Sequence, residues 1–161
     1  MRFGSDRDIS LMVNIGRELL HDIIEQEVLY HKLSLEDTDV NLYGESLSKS
    51  YWNAVKINCL ITRGDQVIDI QEFGPDLGRE ASFAFIRQDL SDKNVVPEVG
   101  DILEWHNDFY EVDTVKENQL FLGSDNSYNL QSSTAGYGRS MSIVVDCHLT
   151  RADRVGISQT R

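Results

Sequence analysis

The sequence predicts a mainly β protein: an antiparallel β-barrel or sandwich with an N-terminal helix, long loops and an extended C-terminal tail. Three observations point there. Residues 95–123, VVPEVGDILEWHNDFYEVDTVKENQLFLG, hold three apolar-rich runs divided at Pro97 and Gly100-Asp101, at Asn107-Asp108, and at Lys116-Glu117-Asn118. Leu103 and Trp105 alternate with Ile102, Glu104 and His106, and Tyr110 and Val112 alternate with Phe109, Glu111 and Asp113. Period-two alternation with short polar breaks is the pattern of antiparallel strands in hairpins. A second run, AVKINCLITRG over 54–64, is β-branched and alternating. Finally, only the N-terminal stretch carries helical spacing.

Taken in order, residues 1–7 read as a polar arm, and Ser5 or Asp8 can cap a helix over about 8–25. Ile9, Met12, Val13, Gly16, Leu19, Leu20, Ile23 and Ile24 recur at three- and four-residue spacing, opposite Arg7, Arg17, Glu18, Asp22 and Glu25. Gly16 weakens that helix by about 1 kcal/mol against alanine unless a neighbour packs close to it. EVLYHKLSL over 27–35 alternates as a strand. The polar stretch that follows, to residue 53, is a long loop anchored by Leu42, Tyr43, Tyr51 and Trp52. Long loops in compact domains usually bind something, so these four residues are candidate partner contacts.

Gly64-Asp65 reads as the turn between 54–64 and a mate over 64–74, or as a bulge in one continuing strand. ASFAFIRQDL over 81–90 reads as another strand. Residues 124–140 form a Gly- and Ser-rich loop carrying Tyr128 and Tyr137, and MSIVVDCHLTR over 141–151 is the last strand. The tail carries Arg151, Arg154 and Arg161 and has little to bury. The chain thus divides into an arm and helix over 1–26, a β-barrel domain over 27–150 with loops at 36–53 and 124–140, and a tail over 151–161.

A chain of 161 residues fits one domain. With 27 acidic residues against 15 basic, its net charge of −12 argues against wrapping nucleic acid, which needs cations on phosphates. The polar N-terminus does not resemble a signal peptide, and no apolar run approaches the roughly 20 residues that cross a bilayer. No membrane role is expected, and the setting reads as cytosolic. Cys59 and Cys147 lie in strand-like runs and read as buried, inert thiols.

Candidate chemistry is sparse. His106-Asn107-Asp108 could move protons but reads better as a hairpin turn. In Asp146-Cys147-His148 the cysteine and histidine face opposite sides of a strand, while Asp146 and His148 can share a face. Gly136-Tyr137-Gly138 lacks the frame of a phosphate loop. Glu72, Asp76, Glu80 and the run Glu36-Asp37-Asp39 lack EF-hand spacing, and no zinc spacing is present. No metal, cofactor or catalytic residue is expected. The alternative is a small acidic β-domain enzyme or ligand-binding module using His106 and His148.

Several strings in order, VNLYGESLSKSYWNAVKINCLITR, EFGPD, FAFIRQDL, NVVPEVGDILEWHNDFYEVDTVKENQLFLG and HLTRADRVGI, resemble the neck proteins of T4-like tailed bacteriophages, especially those of marine and cyanobacterial hosts. The resemblance covers most of the chain from about residue 27. It implies a structural head-completion protein, assembled in the host cytoplasm and located in the virion neck between head and tail. It would form a ring, a hexamer at the closure level or a dodecamer at the adaptor level. The ring would touch portal or adaptor proteins and a tail terminator, and genomic DNA would pass through without specific binding. The β-rich pattern favours closure over the helical adaptors. The N-terminal helix stripe, the two loops and the arginine tail would then supply subunit and partner contacts.

Overall fold

The structure is a computed structural model that describes residues 6–38, 49–71, 74–120 and 140–157. Helix α1 (Asp6–Glu18) continues into a π-helical turn over Leu19–Ile24. The turn stops at Glu25, whose left-handed φ of 49° lets its N–H donate to the Leu20 carbonyl at 3.0 Å. Nine strands follow: β1 (Glu27–His31), β2 (Leu33–Ser34), β3 (Ser50–Tyr51), β4 (Val55–Asn58), β5 (Leu60–Gln71), β6 (Gly74–Ile86), β7 (Ile102–Trp105), β8 (Asp108–Leu120) and β9 (Ser140–Thr150). Two short helices, α2 (Arg87–Asp92) and α3 (Ala152–Val155), complete the order.

Seven strands form one antiparallel sheet in the order β4-β1-β7-β8-β9-β6-β5, and β2 pairs β3 beside it. Only Cys59 separates β4 from β5, although these two strands occupy opposite ends of the sheet. One run of chain therefore pairs with β1 through Val55–Asn58 and then with β6 from Leu60 onward. A strand that changes partner midway makes the corner of a folded-over sheet. Of the two architectures open from sequence, the sandwich-like one is found. Among the described residues no ladder closes the sheet into a barrel.

Strand alternation sends one residue in two to the concave side. Val28, Tyr30, Ile57, Phe83, Phe85, Leu103, Trp105, Tyr110, Val112, Val145 and Cys147 form the core there. Edge-on contacts lock the rings, with Phe83 5.5 Å from Tyr110 and Tyr30 6.5 Å from Phe85 between centroids. On the opposite side a small cluster joins Ile102, Phe109 and Val155, with Tyr51 and Ile157 against it. All four residues of β7 are buried, because that strand has cover on both faces.

Several local expectations are corrected. The 81–90 strand ends at Ile86, and residues 87–90 open α2. At Gly64-Asp65 the second of the two readings is found, a bulge between the pairs Arg63↔Ala81 and Gln66↔Arg79, and β5 runs on to Gln71 before the hairpin reverses. A side chain at Gly64 would meet the Glu80 carbonyl at 3.3 Å, so the backbones approach closely there. The 27–35 strand breaks at Lys32 into β1 and β2. Lys116-Glu117-Asn118 lies within β8 at a register irregularity and makes no turn. The tail does bury something: α3 seats Val155 at 2% exposure.

Candidate functional site

The residues of the enzyme alternative do not gather. His106 sits in a two-residue hairpin turn, where it and Asn107 have φ of 51° and 68°, and its ring stacks on Trp105 at 4.6 Å. Two left-handed residues in succession make the hairpin turn whose twist matches the strands. Arg63 lies 4.0 Å over the Trp105 ring, so three side chains stack at this end of the sheet. His148 is exposed and contacts the Asp113 carboxylate at 2.8 Å. Asp146, the expected dyad partner, instead accepts from Ser82 Oγ at 2.6 Å and pairs with Lys116 Nζ at 2.5 Å. Those donors hold the Asp146 carboxyl below its ordinary pKa. Among the described residues no group of three or more His, Cys, Asp or Glu is arranged to hold a metal. Nor is any helix among them long and apolar enough to cross a membrane.

Both thiols are buried. Burial pushes the Cys59 pKa up to about 12, and burial together with nearby Asp113 and Asp146 raises Cys147 further. Neither is a nucleophile at neutral pH.

The best-connected buried charge is Asp101, which sequence reading treats only as turn chemistry. It is fully buried, and its carboxylate accepts from Tyr30 Oη, from Leu33 N and Glu98 N at 2.9 Å each, and from Lys32 Nζ at 3.1 Å. One side chain thereby ties β1, β2 and the 96–100 turn to the start of β7. Burial, reinforced by the Asp101 bond, keeps the Tyr30 phenol protonated far above its usual pKa. His31 and Glu104 make a second buried pair at 3.2 Å on the convex side. Both clusters join neighbouring strands, and Glu104 also lines a shallow open hollow with Glu27, Leu29, Lys56 and Asn107. They read as structure.

The surface that lacks an internal use is on α1. Its inner face docks closely because Gly16 has no side chain: a Cβ there would lie 2.8 Å from Met141 Cε and 3.4 Å from Ile86 Cδ1. Arg17 Nε lies 2.7 Å from Asp89 Oδ1, His21 Nε2 lies 2.9 Å from Asp89 Oδ2, and Arg17 Nη2 donates to Asp92 at 2.9 Å. Leu20 is buried with them. The single stripe read from sequence is therefore divided. Val13, Gly16, Leu20 and Ile24 turn inward at least in part, while Met12, Leu19 and Ile23 remain exposed. Leu11 and Ile15, absent from that stripe, join the exposed set. Leu11, Met12, Ile15, Leu19 and Ile23 are exposed by 56, 44, 52, 46 and 73%. Acidic Glu18 and Asp22 border them.

The other expected contacts scatter. Tyr51 lies in β3 against the convex cluster, and burial with Glu111 and Asp101 nearby raises its phenol to about 12. Trp52 is 56% exposed beside it. Arg151 is exposed just before α3. Arg154 belongs to α3 by its backbone, and its side chain lies outside what is described. Leu42, Tyr43, Tyr128, Tyr137 and Arg161 also fall outside the described residues.

No protein-family model matches the chain, and no curated protein matches it in sequence. A solved chain from the virion of a native gene transfer agent particle is similar in structure. It superposes with a TM-score of 0.46 at 7% identity, over 79% of this chain and 96% of that one. At that score the likeness carries no argument.

Proposed function

We propose that this chain is a structural neck protein of a tailed phage, whose copies form a ring that closes the DNA-filled head and joins it to the tail. The observation that carries the reading is the exposed apolar face of α1 and of the π-helical turn that continues it. Five large side chains at 44–73% exposure leave on the order of 500 Å² of apolar surface, the size of the largest patch on an ordinary monomer. A helix with two apolar faces, one already docked, is built to cover the other in an assembly. The strings that resemble those of T4-like neck proteins supply the finer assignment. Contacts with portal or adaptor proteins and with a tail terminator follow from the same assignment.

The chemistry of the described residues supports a role without a reaction. His148, Asp146, Asp101 and Asp89 each hold a neighbouring element in place. The net charge of −12 suits a channel through which DNA passes without being held, because phosphates are repelled. The ring is a hexamer in the closure reading, with a dodecamer as the alternative. The test is removal of the gene from a system that makes the particles. Filled heads without tails should accumulate, and supplying the intact chain should restore joining. Tailed, infectious particles at normal yield in its absence would overturn the proposal.

A further inference from the structure

Helix α1 is held to the rest of its chain by a small seat and one strained connection. Leu20 is the one buried side chain among those described over residues 6–24. Around it the fit is specific: Gly16 lies over Met141 and Ile86, and Arg17 and His21 reach Asp89. Asp89 is buried, and the described side chains that meet its carboxylate are these two. A buried charge stripped of its partners is strongly destabilising, so the seat is unstable when empty. It calls for a helix with a glycine beside an arginine, supplied by the same chain or by another copy.

The connection favours another copy. The helix ends in a π-helical turn over Leu19–Ile24, an uncommon geometry. Glu25 after it is left-handed, a conformation that costs a residue carrying a β-carbon. Gln26 is then fixed, since its carbonyl accepts from Cys59 N at 3.0 Å, at the corner between β4 and β5. The passage from helix to β1 is therefore made at one exposed residue, Glu25, between an irregular turn and an anchored neighbour. Short hinges under strain invite exchange of the element they carry.

We infer that α1 is exchanged between copies: in the assembly, the helix and π-turn of one copy occupy the Ile86–Met141–Asp89 seat of the next. This rests on the ring reading given above. Each seat contact is remade with the neighbour, so exchange sacrifices none of them. What changes is the hinge, where Glu25 is freed to extend, and the outer stripe, which a helix lying across two copies carries to their junction. A chain that gives its helix to one neighbour and receives one from another makes a heterologous contact, and the series ends when a ring closes. Reciprocal exchange would stop at a dimer, so copy number separates the two.

Full-length chains carrying Arg17→Lys, prepared in light and heavy-isotope forms, test this. The substitution keeps the charge beside Asp89 and Asp92 and supplies an amine that a carbodiimide couples to a touching carboxylate. Equal amounts are mixed unfolded in urea, refolded together, assembled, coupled and digested. Mass spectrometry then reads peptides joined between position 17 and Asp89 or Asp92. Exchange predicts that half of these pairs combine a light with a heavy peptide. Pairs wholly light or wholly heavy, in an assembly of full size, would overturn the inference and leave the ring standing. Glu25→Gly gives a second readout that needs no coupling. Glycine holds the left-handed turn without cost, so the closed form gains. Over the dilutions at which the parent dissociates, this variant should show a larger monomer fraction by native mass measurement. An equal or smaller fraction would also overturn the inference. A parent chain that never self-associates, alone or on filled heads, removes the ring reading and the inference together.

Discussion

Asp101→Ala should be among the most damaging single substitutions in this protein. The carboxylate is fully buried and serves Tyr30 Oη, Leu33 N, Glu98 N and Lys32 Nζ. Lys32 is half-buried and keeps the Val96 carbonyl at 2.8 Å and Glu98 at 2.8 Å, so its loss is small. The other three donors lose their acceptor. An orphaned buried donor costs about 1–3 kcal/mol. Leu33 N and Glu98 N are partly reachable by water and belong at the low end, which places the total at roughly 3–5 kcal/mol. That is a large share of the roughly 5–15 kcal/mol of a typical domain. Tyr30→Phe removes one donor and leaves Asp101 three, so it should cost about 1–2 kcal/mol. In the Asp101→Ala background the same change removes an orphaned hydroxyl. The double variant should therefore be more stable than the sum of the singles by about 1–3 kcal/mol. Urea unfolding followed by the fluorescence of buried Trp105 measures all four species. An Asp101→Ala cost below about 1 kcal/mol, or simple additivity, would refute the reasoning.

Further outcomes follow from the same contacts. Gly16→Ala should be nearly neutral, since the gain in helix propensity of about 1 kcal/mol is set against shifting the flexible tip of Met141. Gly16→Leu should undock α1, read as faster amide exchange across residues 6–24 with the sheet unaffected. Ending the chain at Thr150 removes Val155 from the convex cluster and should cost about 1.5–3 kcal/mol in chemical melts, whereas ending it at Ile157 should cost little. Equal stability of the two truncations would contradict the buried role of α3. Cys59 and Cys147 should resist a thiol reagent at pH 8 in the native protein and both react in urea, because their folded pKa values are raised by burial. Rapid native labelling of either would place it outside the core.

Much of the sheet was readable because alternation survives folding wherever one face is buried. The concave residues Leu103, Trp105, Tyr110 and Val112 are those the 102–113 pattern picks out. Where a local signal has two structural meanings, the reading stayed open or went wrong. Gly64-Asp65 has turn composition, yet a glycine also serves a bulge where backbones crowd, and only the Glu80 carbonyl at 3.3 Å distinguishes them. RQDL continues the preceding strand in composition, and a six-residue helix is too short to show its own period. The buried polar centres were invisible. Asp101 looks like an ordinary turn residue until Tyr30, 71 positions away, is brought against it. The helix stripe was recognised as apolar, but its division into a docked and an open face depends on where Gly16 meets Met141. That meeting is tertiary information, and the open face, with Leu11 and Ile15, is what the functional proposal stands on.

Native mass measurement of the full-length protein, alone and after release from filled heads, bears most directly on the central claim. A closed species of one fixed copy number, six in the closure reading, is the expected result. A single chain under both conditions would contradict it.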